Sequence, residues 1–244
     1  MIPIRDTIPT RTRPVVNTAL IVINVLAFLF ELSMGSDLDA FIRTFGLVPT
    51  HVSAALARHD YAAIAIWTLA SMFLHGGWLH LGGNMLYLWI FGDNVEDALG
   101  HGLYVVFYFA CGIAAAAAHV VFNAGSTLPT VGASGAIAGV LGAYLVMYPR
   151  ARVVTLLPIF FYVTFIEVPA PIYLGLWFVM QVLSGTAQIT HATRHAVEGA
   201  GGVAWFAHAG GFICGVLLAF LLPKRARPAI YDEPPRFSRR RYGW

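Results

Sequence analysis

Six apolar stretches dominate this chain, approximately residues 15–33, 78–92, 103–122, 133–149, 171–189 and 202–222. A helical bilayer crossing takes roughly 20 such residues. Only 11% of the chain is charged, against 58% hydrophobic, and the mean hydropathy is +0.71. Soluble domains carry about 25% charged residues, so this balance excludes an ordinary soluble enzyme. The expected fold is all-α, a polytopic membrane bundle of six transmembrane helices with an interfacial loop between helices 1 and 2. The bundle would occupy 15–222, after an N-terminal segment 1–14 and before a basic tail 223–244, expected to be disordered.

Positive charge is distributed unevenly. Arg5, Arg11 and Arg13 precede the first stretch, and Arg150 and Arg152 follow the fourth. Lys224, Arg225, Arg227, Arg236, Arg239, Arg240 and Arg241 follow the sixth. With six crossings all twelve lie on one side, leaving Arg43, Arg58 and Arg194 on the other. The positive-inside rule then puts both termini in the cytoplasm, with a bacterial inner membrane as the expected location. The tail reads as a topology anchor or a contact for anionic headgroups, and no nucleic-acid partner is expected. The first stretch reads as an uncleaved signal anchor, since Phe28-Leu29-Phe30-Glu31 offers no small-residue cleavage site. Cys111 and Cys214 lie mid-span and do not indicate a disulfide framework.

Three segments interrupt the spans. Residues 34–77 mix Asp37, Asp39, Arg43, Arg58 and Asp60 with Phe41, Phe45, Leu47 and Trp67, which suits interfacial amphipathic pieces. From Thr155 to Pro171 the chain is apolar, yet Pro158, Pro169 and Pro171 oppose a helix, so an ordered cytoplasmic-side connection is expected. Residues 190–202, with His191, Arg194, His195 and Glu198, read as a flexible outer cap.

Polar groups at membrane depth are costly and usually functional. Ser134, in Gly132-Ala133-Ser134-Gly135, falls in the first turn of the fourth stretch, where backbone N–H groups lack partners. There it is either a cap or small packing residue, or a nucleophile with donors ready for an oxyanion. His208 lies in the sixth stretch among Ala207, Gly211, Gly215 and Ala219, one small residue every four. The fourth stretch answers with Gly135, Gly139 and Ala143. Small residues at that spacing let helix backbones approach closely, and Gly132, Gly135, Gly139, Gly211 and Gly215 are expected to serve this packing. Such an approach could bring the Ser134 hydroxyl to His208 as nucleophile and base.

His80 and Asn84 are four apart and share one helix face, which suits either an oxyanion hole or a pair stitching helices together. His75, His80 and His208 could bind zinc in principle. No His-Glu-x-x-His is present and no carboxylate sits near them in sequence, so no metal is expected. His101 and His119 read as structural.

The set His75-x4-His80-x3-Asn84, then Gly132-x-Ser134-Gly135, then Ala207-His208-x2-Gly211-x3-Gly215 resembles the rhomboid family of intramembrane serine proteases, from about Trp67 to Phe220. The resemblance implies a six-helix core and a Ser134–His208 dyad without a third acidic member. It implies that His80, Asn84 and the Ser134 backbone N–H hold the oxyanion, that no cofactor is needed, and that substrates are transmembrane proteins cut within or beside the bilayer. It also implies that the fifth span is a mobile substrate gate. Two positions depart from patterns in some relatives: Trp67 is followed by Thr68 rather than arginine, and Ala138 replaces a tyrosine that stacks on the histidine. Orientation of the His208 ring must therefore come from elsewhere. The alternative is a catalytically silent relative that binds membrane clients; a transporter would call for mid-span charges, which are scarce. Oligomeric state has no sequence signal.

Overall fold

The computed structural model describes residues 2–159, 162–192 and 205–225, and for 159 and 184–192 the backbone alone. Residues 193–204, with Arg194, His195 and Glu198, lie outside it, as do the tail beyond 225 and the His191 side chain.

Helix α1 (Val15–Ser33) starts after Pro14, which offers no side-chain cap. Its first free N–H groups find a carboxylate from another helix. Val16 and Asn17 donate to Glu96 at 3.0 and 2.7 Å, and an acidic group there also suits the helix dipole. Beside it, Asp97 accepts from the Thr12 hydroxyl at 2.7 Å and pairs with Arg11 at 3.0 Å.

Three short helices follow: α2 (Leu38–Phe45), α3 (Pro49–Ala57) and α4 (Tyr61–Ser71). Pro49 opens α3, a position where its missing N–H costs nothing, and Asp60 caps α4 through the Ala63 N–H. These fill the segment expected to hold amphipathic pieces, with Leu47, Val48 and Ala55 buried.

The second apolar stretch runs further than its hydropathy suggests. Helix α5 (Trp78–Tyr87) passes through a π-helical turn, Leu88–Gly92, into α6 (Asp93–Leu99). Asn17 of α1 donates to the Leu88 carbonyl at 2.9 Å and accepts from the Tyr104 hydroxyl at 2.8 Å. A side chain on Gly92 would strike Asn17, so glycine makes this crossing possible. Gly100, at φ +83°, turns the chain into α7 (His101–Phe122).

Helices α7, α8 (Ser134–Met147) and α10 (Trp205–Leu221) form the centre. A Cβ on Gly211 would collide with the Gly135 carbonyl, and one on Gly215 with the Gly139 carbonyl. The backbones of α8 and α10 therefore touch, as the small-residue stripes require. Tyr104, Phe107, Tyr108 and Tyr144 are fully buried around them. Helix α9 (Ala170–Ala192) packs on α10 more lightly.

The connection before α9 is a β-hairpin, which the sequence reading leaves as unspecified order. Strands β1 (Ile2–Asp6), β2 (Arg152–Ile159) and β3 (Tyr162–Pro169) form an antiparallel sheet in the order β1-β2-β3. Val153 and Thr155 are buried while Arg152, Val154 and Leu156 are half-exposed, the period of two that a strand needs. Pairing with β1 stops at Leu156, so Pro158 sits where only β3 flanks it. A proline is tolerated at such a position because no second ladder needs its N–H. Glu167 falls on β3 opposite Val154, exposed.

Helices α1 and α7 are by length and apolarity alone sufficient to cross a membrane; α4, α8, α10 and the described part of α9 are shorter apolar helices. The whole is an all-α bundle of the polytopic membrane class carrying one small sheet.

Candidate active site

Ser134 is the first residue of α8. Gly132 precedes it at φ +131°, a backbone geometry that favours glycine, and its N–H donates to the Ser71 carbonyl at 2.8 Å. This bend aims the serine off the helix end. Gly132 does not serve the α8–α10 seam. A Cβ there would lie 2.7 Å from His80 Nε2 and 3.5 Å from Ser134 Oγ, so its bareness lets the His80 ring approach.

Across the glycine seam, His208 Nε2 lies 2.7 Å from Ser134 Oγ. The close approach of α8 and α10 fixes that distance, since both residues sit at the same end of facing helices. The other ring nitrogen, Nδ1, is 2.6 Å from Oε1 of Gln181 on α9. For Nε2 to accept the serine proton, a neutral imidazole must carry its own proton on Nδ1, and Gln181 is placed to accept it. Trp177, one turn earlier on α9, lies against the same ring, with centroids 5.9 Å apart. Trp205 meets it edge-on at 6.4 Å.

His80 and Asn84 share one face of α5 toward this pair. Gly76 N–H donates to His80 Nδ1 at 3.3 Å, which leaves the proton of a neutral ring on Nε2, facing Gly132 and Ser134. Asn84 is buried and its Nδ2 has no hydrogen-bond partner among the described residues. A buried unpaired donor is costly unless something else uses it. His80, Asn84, Ser134, Gln181 and His208 all line one cavity of about 680 Å³.

His75 is a scaffold residue. Its backbone N–H donates to both carboxylate oxygens of Glu31 at 3.1 Å, and its Nδ1 contacts the Phe73 carbonyl at 3.1 Å. Burial and the neighbouring His80 hold its imidazole down to about 4, so it stays neutral. His101 pairs with Glu96. His119 lines the cavity and contacts the Thr130 hydroxyl at 2.6 Å.

Gln181 and Glu96 are absent from the sequence reading. Gln181 carried a usable signal, an amide in the middle of an apolar span. Glu96 carried none, because its role depends on which helix end lies beside it.

Comparison with known proteins identifies the family. The family profile described as Rhomboid domain matches residues 64–225. Rhomboid protein 1, mitochondrial, of Saccharomyces cerevisiae is 30% identical over 173 residues, 69% of this chain and 45% of that protein. Rhomboid protease GluP of Bacillus subtilis is 36% identical over 122 residues, half of this chain and 22% of that protein. Presenilin-associated rhomboid-like protein, mitochondrial, of Mus musculus is 34% identical over 95 residues, 38% and 25% of the two chains. The matched stretches span less than half the length of each relative. With two thirds of its length under that profile, the chain belongs to the rhomboid family of multi-pass membrane proteins.

Proposed function

We propose that this chain is an intramembrane serine endopeptidase that cleaves transmembrane or juxtamembrane segments of membrane proteins with a Ser134–His208 dyad. The observation that carries this reading is the 2.7 Å contact between Ser134 Oγ and His208 Nε2 at the edge of a polar-lined cavity. Neutral His208 takes the hydroxyl proton as Oγ attacks the scissile carbonyl. The proton then passes to the leaving amine as the C–N bond breaks, which leaves an acyl-enzyme. Water repeats the sequence to free the acid and regenerate Ser134. Negative charge on the carbonyl oxygen is met by Asn84 Nδ2, His80 Nε2–H and the Ser134 backbone N–H, the last free of any helical partner.

The catalytic unit spans 15–222 with six crossings, flanked by the segment 1–14 and the basic tail 223–244. Both termini face the cytoplasm of a bacterial cell and the cavity opens to the outer side, a topology supported by the arginine distribution. Substrate segments come in laterally past α9, and no metal or cofactor takes part.

A fluorophosphonate probe tests the reading. It should label the wild type and neither Ser134→Ala nor His208→Ala. Absence of labelling in both detergent and liposomes would replace the protease with a client-binding protein.

A further inference from the structure

Ser134 comes to His208 from a helix whose backbone touches that of α10. Gln181 does not. It sits on α9, whose opposite side exposes Ile172, Leu176, Val179 and Met180, and it is itself buried. An amide buried in an apolar helix needs a partner, and among the described residues the one it has is the imidazole Nδ1 at 2.6 Å. Trp177 is four residues earlier, hence on the same face of α9, and its ring lies against both His208 and Phe212. One helix face therefore offers His208 an acceptor for one nitrogen and an aromatic surface for its plane. On α8, Ala138 is too small to supply that surface.

We propose that Gln181 is a positioning residue for the base: its Oε1 accepts the Nδ1 proton and so keeps His208 in the tautomer whose Nε2 can take the proton of Ser134. The proposal rests on the protease reading and adds a third member to it, a neutral amide in the place where soluble triads use a carboxylate. A neutral partner suits this depth, since a buried carboxylate would carry a large desolvation cost. The seat of α9 therefore sets the orientation of the base, and the dyad is complete only when Gln181 and Trp177 are in place together.

The test is the second-order rate of fluorophosphonate labelling of the full chain in detergent, with the melting temperature of each variant beside it. Gln181→Met keeps the length and removes the acceptor; Gln181→Glu keeps the acceptor and adds charge. The proposal expects Met to slow labelling by at least about tenfold with an unchanged or raised melting temperature. It expects Glu to label within about threefold of wild type, even at a lowered melting temperature. A merely structural glutamine gives the reverse order, with Met harmless and Glu the damaging change. Wild-type labelling with a normal rate in Met, or with Met and Glu equally slow, overturns the positioning role and leaves the protease reading intact. No wild-type labelling at all overturns that reading and this proposal with it.

Discussion

Tyr87 and Tyr173 meet hydroxyl to hydroxyl at 2.8 Å, joining α5 to α9 beside the cavity. Under the proposed function, a transmembrane substrate has to part these two helices. Hydrogen bonds between membrane helices contribute about 0.6 kcal/mol on average, a factor of about three in an equilibrium. We expect Tyr173→Phe to raise the cleavage rate of a transmembrane substrate by up to about threefold. Labelling by a small fluorophosphonate should not change, because the closed seat of α9 remains the majority. Equal effects on both rates would show that the pair does not act as a latch.

Asn84 holds a donor that nothing among the described residues uses. If that donor awaits the oxyanion, Asn84→Ala should lower kcat by about a hundredfold to a thousandfold while KM stays within a small factor. Steady-state cleavage of a reconstituted substrate reads both quantities. A loss confined to KM would move Asn84 from transition-state stabilisation to substrate binding.

The α8–α10 seam makes a paired prediction. Gly215→Val drives a side chain into the Gly139 carbonyl, so the helices must separate and the dyad with them. Overpacking of this kind costs about 1–3 kcal/mol, and we expect a lower melting temperature together with lost labelling. Gly82, on α5, has open space where its Cβ would be, and Gly82→Ala should be neutral or mildly stabilising. Similar melting curves for the two variants would remove the seam from the account.

Asp6 gives the sheet a pH dependence. Burial raises its carboxyl to about 7, with nearby Asp93 adding to the effect; the hydrogen bonds it accepts, including one from the Tyr144 hydroxyl, oppose it. In the unfolded chain the group loses its proton near 3.8. Between those values the folded state binds more protons, so stability falls as pH rises through about 7. Protection of residues 1–14 from protease should therefore weaken from pH 5 to pH 8 in the wild type. In Asp6→Asn it should stay level. Identical pH profiles would exclude Asp6 as the source.

How far the sequence could be read follows from which interactions are local. Gly135, Gly139, Gly211 and Gly215 announce the seam because small residues repeat every four positions, and the seam brings Ser134 to His208. The hairpin was not legible in the same way. From Leu156 to Phe165 the sequence is almost uniformly apolar, so neither period stands out, and the third strand comes from about 150 residues earlier. Asp93, Asn94, Glu96 and Asp97 lie just past the apolar stretch 78–92. The helix continues through them because Asp6 of β1 meets Asn94, the start of α1 meets Glu96, and Arg11 and Thr12 meet Asp97. Gln181 is neither charged nor a histidine, yet an amide at that depth poses the same question of who satisfies it.

The short strand β1 shields one side of β2 along its buried stretch. A polypeptide lacking residues 1–7 would present the backbone donors and acceptors of Val153 to Leu156 unpaired, a ready template for a second chain to zip onto. Trimming residues 1–7 would thus invite self-association along the uncovered edge of the sheet.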